Sequence, residues 1–204
     1  MPKLDLRKTL KHLYRPSAKD FSIVDVPPLS YLMMDGHGDP NTAPAYAQAV
    51  QALYSVAYTL KFQLKQADPA LDFGVMPLEG LWWAADMANF TQLSKADWDW
   101  TMLILQPDFV TAGHVAAAQA AALRKKGAPG VERVRLETYH EGPAAQIRYF
   151  GAYADEGPTI ARLHAFIAAQ GRRLSGKHHE VYLGDPRRTA PAKLQTVIRQ
   201  PFAR

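Results

Sequence analysis

The sequence predicts an α+β fold in which antiparallel sheets and two main helices surround a central cleft, built from a strand-helix-strand-strand module that occurs twice with pseudo-twofold symmetry. Three observations predict it. Apolar residues recur at helical spacing in three stretches; β-rich runs are separated by Gly, Pro and Asp clusters; and the order of elements in the first half returns in the second. With 204 residues, 48% hydrophobic and 21% charged, the chain is an ordinary globular mix large enough for a sizeable core. The expected organisation is a basic N-terminal extension over residues 1–20, then one domain over 21–204 with internal repeats at about 21–125 and 131–204.

The first strand candidate, Leu29 to Asp35, runs into the turn "DGHGDP". The clearest helix follows: Asn41 or Thr42 can cap it and Pro44 suits its first turn. Tyr46, Ala49, Val50, Leu53, Ala57, Leu60 and Leu64 then draw one apolar face. Strand candidates Phe73 to Ala84 and Trp98 to Gln106 come next. A second helix starts after Thr111, "TAGHVAAAQAAALRKK", alanine-rich and basic in its last turn. Val131 to His140 and Ala145 to Tyr153 read as strands. A third helix spans about Gly157 to Gln170 and stops at Gly171, and strands at His178 to Gly184 and Lys193 to Gln200 complete the chain.

The repeat rests on local matches. "MLILQPDF" resembles "TVIRQPF", each a β-rich run ending in Gln-Pro and an aromatic, and each follows a strand bearing a glutamate, Glu79 in "PLEGLWW" and Glu180 in "HHEVYLG". Two copies related by a twofold axis would let both glutamates approach one cleft, a common kind of ligand site.

Composition removes several chemistries. Without cysteine there is no disulfide, no thiolate-bound zinc and no thiol catalysis. The N-terminus has no apolar stretch after its charges, so a cytoplasmic protein is expected. Asn41 to Leu60 lacks Asp, Glu, Lys and Arg, but it is amphipathic and no membrane span is expected. There is no phosphate-binding loop, Rossmann glycine run or nucleophile elbow, so no cofactor is expected. His178 and His179, adjacent on a strand, point to opposite faces and do not make a metal site. The net charge of +5 is concentrated at the ends, in Lys3, Arg7, Lys8, Lys11, Arg15 and Lys19, then Arg172, Arg173, Lys177, Arg187, Arg188, Lys193, Arg199 and Arg204. Solvated surface is the simplest account, with nucleic acid the lesser alternative in the absence of a DNA-reading motif.

Two constellations remain. Glu180 shares its strand with His178 and Tyr182; it is either paired at the surface or a carboxylate on the floor of an aromatic cleft, able to hold a cation or act as a base on water. Four tryptophans fall within nineteen residues, Trp82 to Trp100, on neighbouring strands. Trp83 and Trp100 are either core or a platform for a flat ligand.

These residues resemble the gyrase-inhibitor-like (GyrI-like) small-molecule-binding proteins, in particular the free-standing branch with no DNA-binding domain attached. The resemblance runs from about Asp20 over nearly the whole chain and is carried by "PLEGLWW", "ILQPDFV", "FGAYADE", "HHEVYLGDPRR" and "TVIRQPF". It implies an aromatic cleft between two modules, with Glu180 in the place of the family's cleft glutamate. It also implies a hydrophobic or cationic aromatic small molecule as partner. The function expected is binding of such molecules and their detoxification by hydrolytic opening of a cyclopropane in DNA-alkylating compounds; the alternative is a non-catalytic drug-binding sensor or sequestering protein, with gyrase or DNA inhibition through the basic face the lesser one. Glu180 would be the base, with Tyr182, Tyr149 or Tyr139 hydrogen-bonding the oxygen that gains charge. Trp83, Trp100, Met102 and Phe109 would hold the aromatic part, with Glu79 as second carboxylate and His178 beside the ligand. One departure matters: the family often has Leu-His-x-Gly-x-Tyr where this chain has Arg148-Tyr149-Phe150-Gly151-Ala152-Tyr153, so a role for that histidine passes to Tyr149 or is lost.

Overall fold

A computed structural model describes residues 3–85, 87, 93–125 and 128–203. Two short helices, α1 (Leu6–Thr9) and α2 (Lys11–Tyr14), precede strands β1 (Ser22–Val26) and β2 (Leu29–His37). Then come the long helix α3 (Pro44–Ala67), β3 (Leu78–Trp83), β4 (Asp99–Leu105), α4 (Ala112–Arg124), β5 (Arg135–Tyr139) and β6 (Gly142–Phe150). The chain finishes with α5 (Gly157–Ala169), β7 (Arg173–Leu174), β8 (His178–Tyr182) and β9 (Gln195–Ala203). Among the described residues no helix is long and apolar enough to cross a membrane. Arg204 and the end of the expected second helix at Lys126 lie outside the described residues.

The strands form one nine-stranded antiparallel sheet in the order β1-β6-β9-β8-β3-β4-β2-β5, with β7 paired to the end of β9. The order is symmetric about the β3–β8 pair: β2, α3, β3 and β4 on one side take the places that β6, α5, β8 and β9 take on the other. Two copies of one module joined at their second strands would give this order, and common ancestry of the halves is a proposal that rests on it.

Opposed residues in an antiparallel pair share a face, so the register sorts the sheet into two surfaces. One carries Gly80, Trp82, Glu180, Tyr182, Trp100, Met102, Thr196 and Ile198 and is covered by α3 and α5. Ala49, Leu53, Val56 and Leu60 of α3 join the main core, and Leu163 and Ile167 of α5 pack with Ile147, Ile198 and Phe202 in a second cluster. The other surface carries Glu79, Leu81, His179, Val181 and Arg199 and receives α1 and α2, whose Leu13 and Tyr14 are buried in the core.

Several elements differ from expectation for local reasons. Helix α3 begins with Pro44 in its first turn, but Ala43 is the cap and makes no side-chain bond. Neither Asn41 nor Thr42 caps it, because both precede the cap position; Asn41 instead donates its side-chain and backbone N–H groups to Asp39 Oδ1 at 2.8 and 2.9 Å. Thr111 does cap α4, in a box completed by His114. Residues 131–133 form a 3₁₀ turn rather than strand: Gly130 takes the left-handed conformation at φ 84°, and Gln119 Nε2 donates to the carbonyls of Val131 and Val134. Strand β9 continues through Pro201, where the lost amide is tolerated near the end of the β6 ladder. Strands β1 and β7 and helices α1 and α2 carry too few periodic residues to be read from sequence.

Candidate functional site

The site lies where β3 and β8 meet, on the face beneath α3 and α5. Gly80 is opposite Glu180 in the register, and its missing side chain leaves room: a Cβ there would come within 2.7 Å of Trp82 Nε1. Trp82 can therefore lie across the strand and donate its indole N–H to Tyr182 Oη at 3.0 Å. Tyr182 in turn donates to Glu180 Oε2 at 2.8 Å, and His178 Nε2 meets Glu180 Oε1 at 3.1 Å. Both carboxylate oxygens are thus oriented, while the Glu180 side chain stays 14% exposed.

The walls are aromatic. Tyr46 of α3 stacks on Trp82 at 6.0 Å between centroids, Trp98 meets Trp82 edge-on at 5.8 Å, and Tyr153 meets Tyr182 edge-on at 5.3 Å. Glu156, the cap residue of α5, is buried close enough to Glu180 for the two charges to interact. Its Oε1 is out of solvent and accepts no hydrogen bond, which suits a neutral carboxyl and not a carboxylate.

The electrostatics separate the two acids. Burial and the neighbouring Glu180 charge push Glu156 up to about 9. Burial also pushes Glu180 upward, but the hydrogen bond and charge of His178 and the hydrogen bond from Tyr182 outweigh it and hold Glu180 low. At neutral pH the pair holds one proton, on Glu156, with Glu180 ionised. Burial and the Glu180 charge push the Tyr182 phenol well up, so it stays a donor.

The expected site residues divide between the two faces. Glu180, Tyr182 and His178 come together. Tyr149 shares their face through its pairing with Thr196, but its hydroxyl donates to the Ala152 carbonyl at 3.4 Å. Trp100 is fully buried, with its ring against Gly36, its N–H donated to the Gly38 carbonyl, and Tyr46 between it and the cleft. Met102 is buried in the core, and Phe109 packs edge-on against Phe73, away from Glu180. Glu79 lies on the opposite surface, since odd and even positions of β3 face apart and its partner across β8 is Val181, not Glu180. The expectation that both glutamates approach one cleft is therefore corrected. Trp83 is on that far surface too, capped by Lys177 Nζ 3.2 Å from the ring centroid.

On that surface Glu79 belongs to a buried ion network. It accepts from Tyr14 Oη at 2.6 Å and meets His179 Nε2 at 3.0 Å. His179 Nδ1 meets Glu141 at 3.0 Å, and Arg199 joins Glu141 at 3.1 Å, Gln146 at 3.0 Å and the Leu13 carbonyl at 2.9 Å. Tyr139 borders this network, its phenol pushed up to about 12 by burial and Glu141. The residues missed by sequence reasoning are Trp82, Tyr46, Tyr153 and Glu156. Tyr153 and Glu156 lie in the acidic turn "FGAYADEGP", whose Glu next to Gly-Pro was the available signal.

Comparison with known proteins places the chain. It belongs to the family described as GyrI-like small molecule binding domain, which it matches over residues 19–202. An uncharacterized conserved protein from Listeria innocua is 37% identical with a TM-score of 0.89, covering 98% of this chain and all of that one. A hydrolase from Listeria innocua is 36% identical with a TM-score of 0.86, covering 99% of this chain and all of that one. The C-terminal domain of EcmrR, 11% identical with a TM-score of 0.58 over 91% of this chain and 98% of that one, shares the fold. No curated protein sequence matches significantly.

Proposed function

We propose that this GyrI-like protein binds a flat, hydrophobic or cationic aromatic molecule in the Tyr46–Trp82–Tyr153–Tyr182 cleft and hydrolyses a strained ring in it, such as the cyclopropane of a DNA-alkylating compound. One observation carries the reading: Glu180, with both oxygens held by His178 and Tyr182, lies among the rings of Tyr46, Trp82, Tyr153 and Tyr182, with a second buried acid, Glu156, beside it. The hydrolases of Listeria innocua at 36% identity support the reaction class.

In this reading the rings hold the ligand face and exclude bulk water. Glu180 takes a proton from a water as its oxygen bonds to the ring carbon. The carbon–carbon bond breaks, and its electron pair flows to a conjugated carbonyl oxygen, which receives the Glu156 proton. Return of the proton from Glu180 to Glu156 restores the starting state. The balance is substrate plus water giving one ring-opened alcohol. Tyr182, engaged with both Trp82 and Glu180, is a positioning residue.

Glu180→Gln is expected to keep ligand quenching of tryptophan fluorescence and to lower ring-opening turnover by about a hundredfold or more, the usual scale for a general base. Turnover at the wild-type rate rejects Glu180 as the base. A second reading, a sensor without chemistry, is favoured by the carboxylate charge beneath aromatic rings, which suits a planar cation. It predicts saturable binding with no new mass after incubation with a spirocyclopropane substrate.

A further inference from the structure

The basic N-terminal segment has no part in the cleft, yet it lines an open concavity of about 570 Å³ on the opposite surface of the sheet. Arg7 and Lys8 from α1, Lys11 and Arg15 at α2, and Arg148 from β6 line it together with Asp5. The cations come from segments more than a hundred residues apart in sequence, so the fold and not a local charge run gathers them. Among the described residues Asp5 is the sole acid lining the cavity, and it lies 3.9 Å from Arg7. Among the described residues, Lys8, Lys11, Arg15 and Arg148 form no ion pair with a carboxylate. Among the described residues Arg148 Nε is out of solvent and has no acceptor, although buried guanidinium N–H groups are ordinarily satisfied.

Five cations and one acid around a concavity of ligand size call for a small, highly charged anion. Guanidinium forks favour phosphate oxygens, and an excess of four positive charges matches a di- or triphosphate better than a single carboxylate. We propose that this cavity is a binding site for a small polyphosphate group, distinct from the aromatic cleft and on the other side of the sheet from it. The site stands or falls separately from the hydrolytic reading, since it shares no residue with the cleft.

The test is calorimetric titration of the full chain with inorganic pyrophosphate and triphosphate at ~50 mM salt, where screening of surface charge is weak. One-site saturable binding is expected, weakened about tenfold or more in both Arg148→Gln and Arg15→Gln by loss of a charge-assisted pair, with cleft-ligand quenching unchanged in both. Should Arg148→Gln fail to fold, the exposed Arg15→Gln decides alone. Absence of saturation at millimolar anion, or wild-type affinity in the folded variants, overturns the proposal. So does duplex DNA binding that pyrophosphate does not displace, because an extended backbone would then be reading the surface rather than the cavity.

Discussion

Glu156 and Glu180 have the same side chain and opposite tasks because their surroundings differ. Glu180 is held by Tyr182 and His178, whereas Glu156 is buried at the start of α5 beside an existing negative charge. If ring opening needs Glu180 ionised and Glu156 protonated, turnover falls as pH rises through about 9, the value to which burial and Glu180 push Glu156. Glu156→Gln removes that alkaline limb from the pH–rate profile; a limb that persists assigns it to another group. The same substitution has a stability sign. A carboxyl whose folded pKa is raised favours folding most below its ordinary 4.5 and loses that contribution as pH rises toward 9. Glu156→Gln is therefore expected to raise the melting temperature at pH 8 while lowering turnover, the usual exchange at a strained site.

Single glycines set the geometry of whole strands. Gly36 leaves space for the Trp100 ring, which a Cβ would approach to 2.0 Å, and Gly80 leaves space for Trp82. Gly36→Ala and Gly80→Ala are each expected to cost about 1–3 kcal/mol in chemical denaturation, as overpacked sites do. Gly80→Ala should also weaken ligand binding, because the clashing atom carries the hydrogen bond to Tyr182; unchanged affinity would detach Trp82 from the cleft. The β8 strand serves both faces at once, with Glu180 toward the cleft and His179 in the ion network behind it.

At the scale of the molecule, that network pins the N-terminal helices to the sheet. Burial opposes charge on His179, but Glu141 and Glu79 overcome it and raise His179 to about 9. Its stabilisation is complete below its ordinary 6.5 and lost as pH rises through about 9. Burial likewise opposes charge on Glu141, but His179 and Arg199 hold it at about 2, so its contribution is present above its ordinary 4.5 and lost as pH falls toward 2. His179→Ala leaves Glu79 and Glu141 without this partner and is expected to cost about 3–5 kcal/mol in urea unfolding. Removing residues 1–20 deletes Leu13, Tyr14 and the carbonyl that Arg199 donates to. The truncated chain is expected to show lower soluble yield and a lower melting temperature, although the family match begins only at residue 19.

The sequence by itself determined the α+β class, the three longest helical stretches and the presence of Glu180, His178 and Tyr182 on one strand. Helical spacing, capping residues and Gly-Pro turns act over a few residues and are written locally. Which face a glutamate occupies was not legible: Glu79 and Glu180 look alike in their strands, and the β3–β8 register alone puts Glu79 behind the sheet. Nor could local pattern show that Tyr46 and Glu156, at the starts of two different helices, would meet Trp82 and Glu180. Tertiary structure decided the aromatic surroundings of Glu180 because they come from distant segments, and contacts of that kind depend on how the helices pack on the sheet and not on the residues next in line.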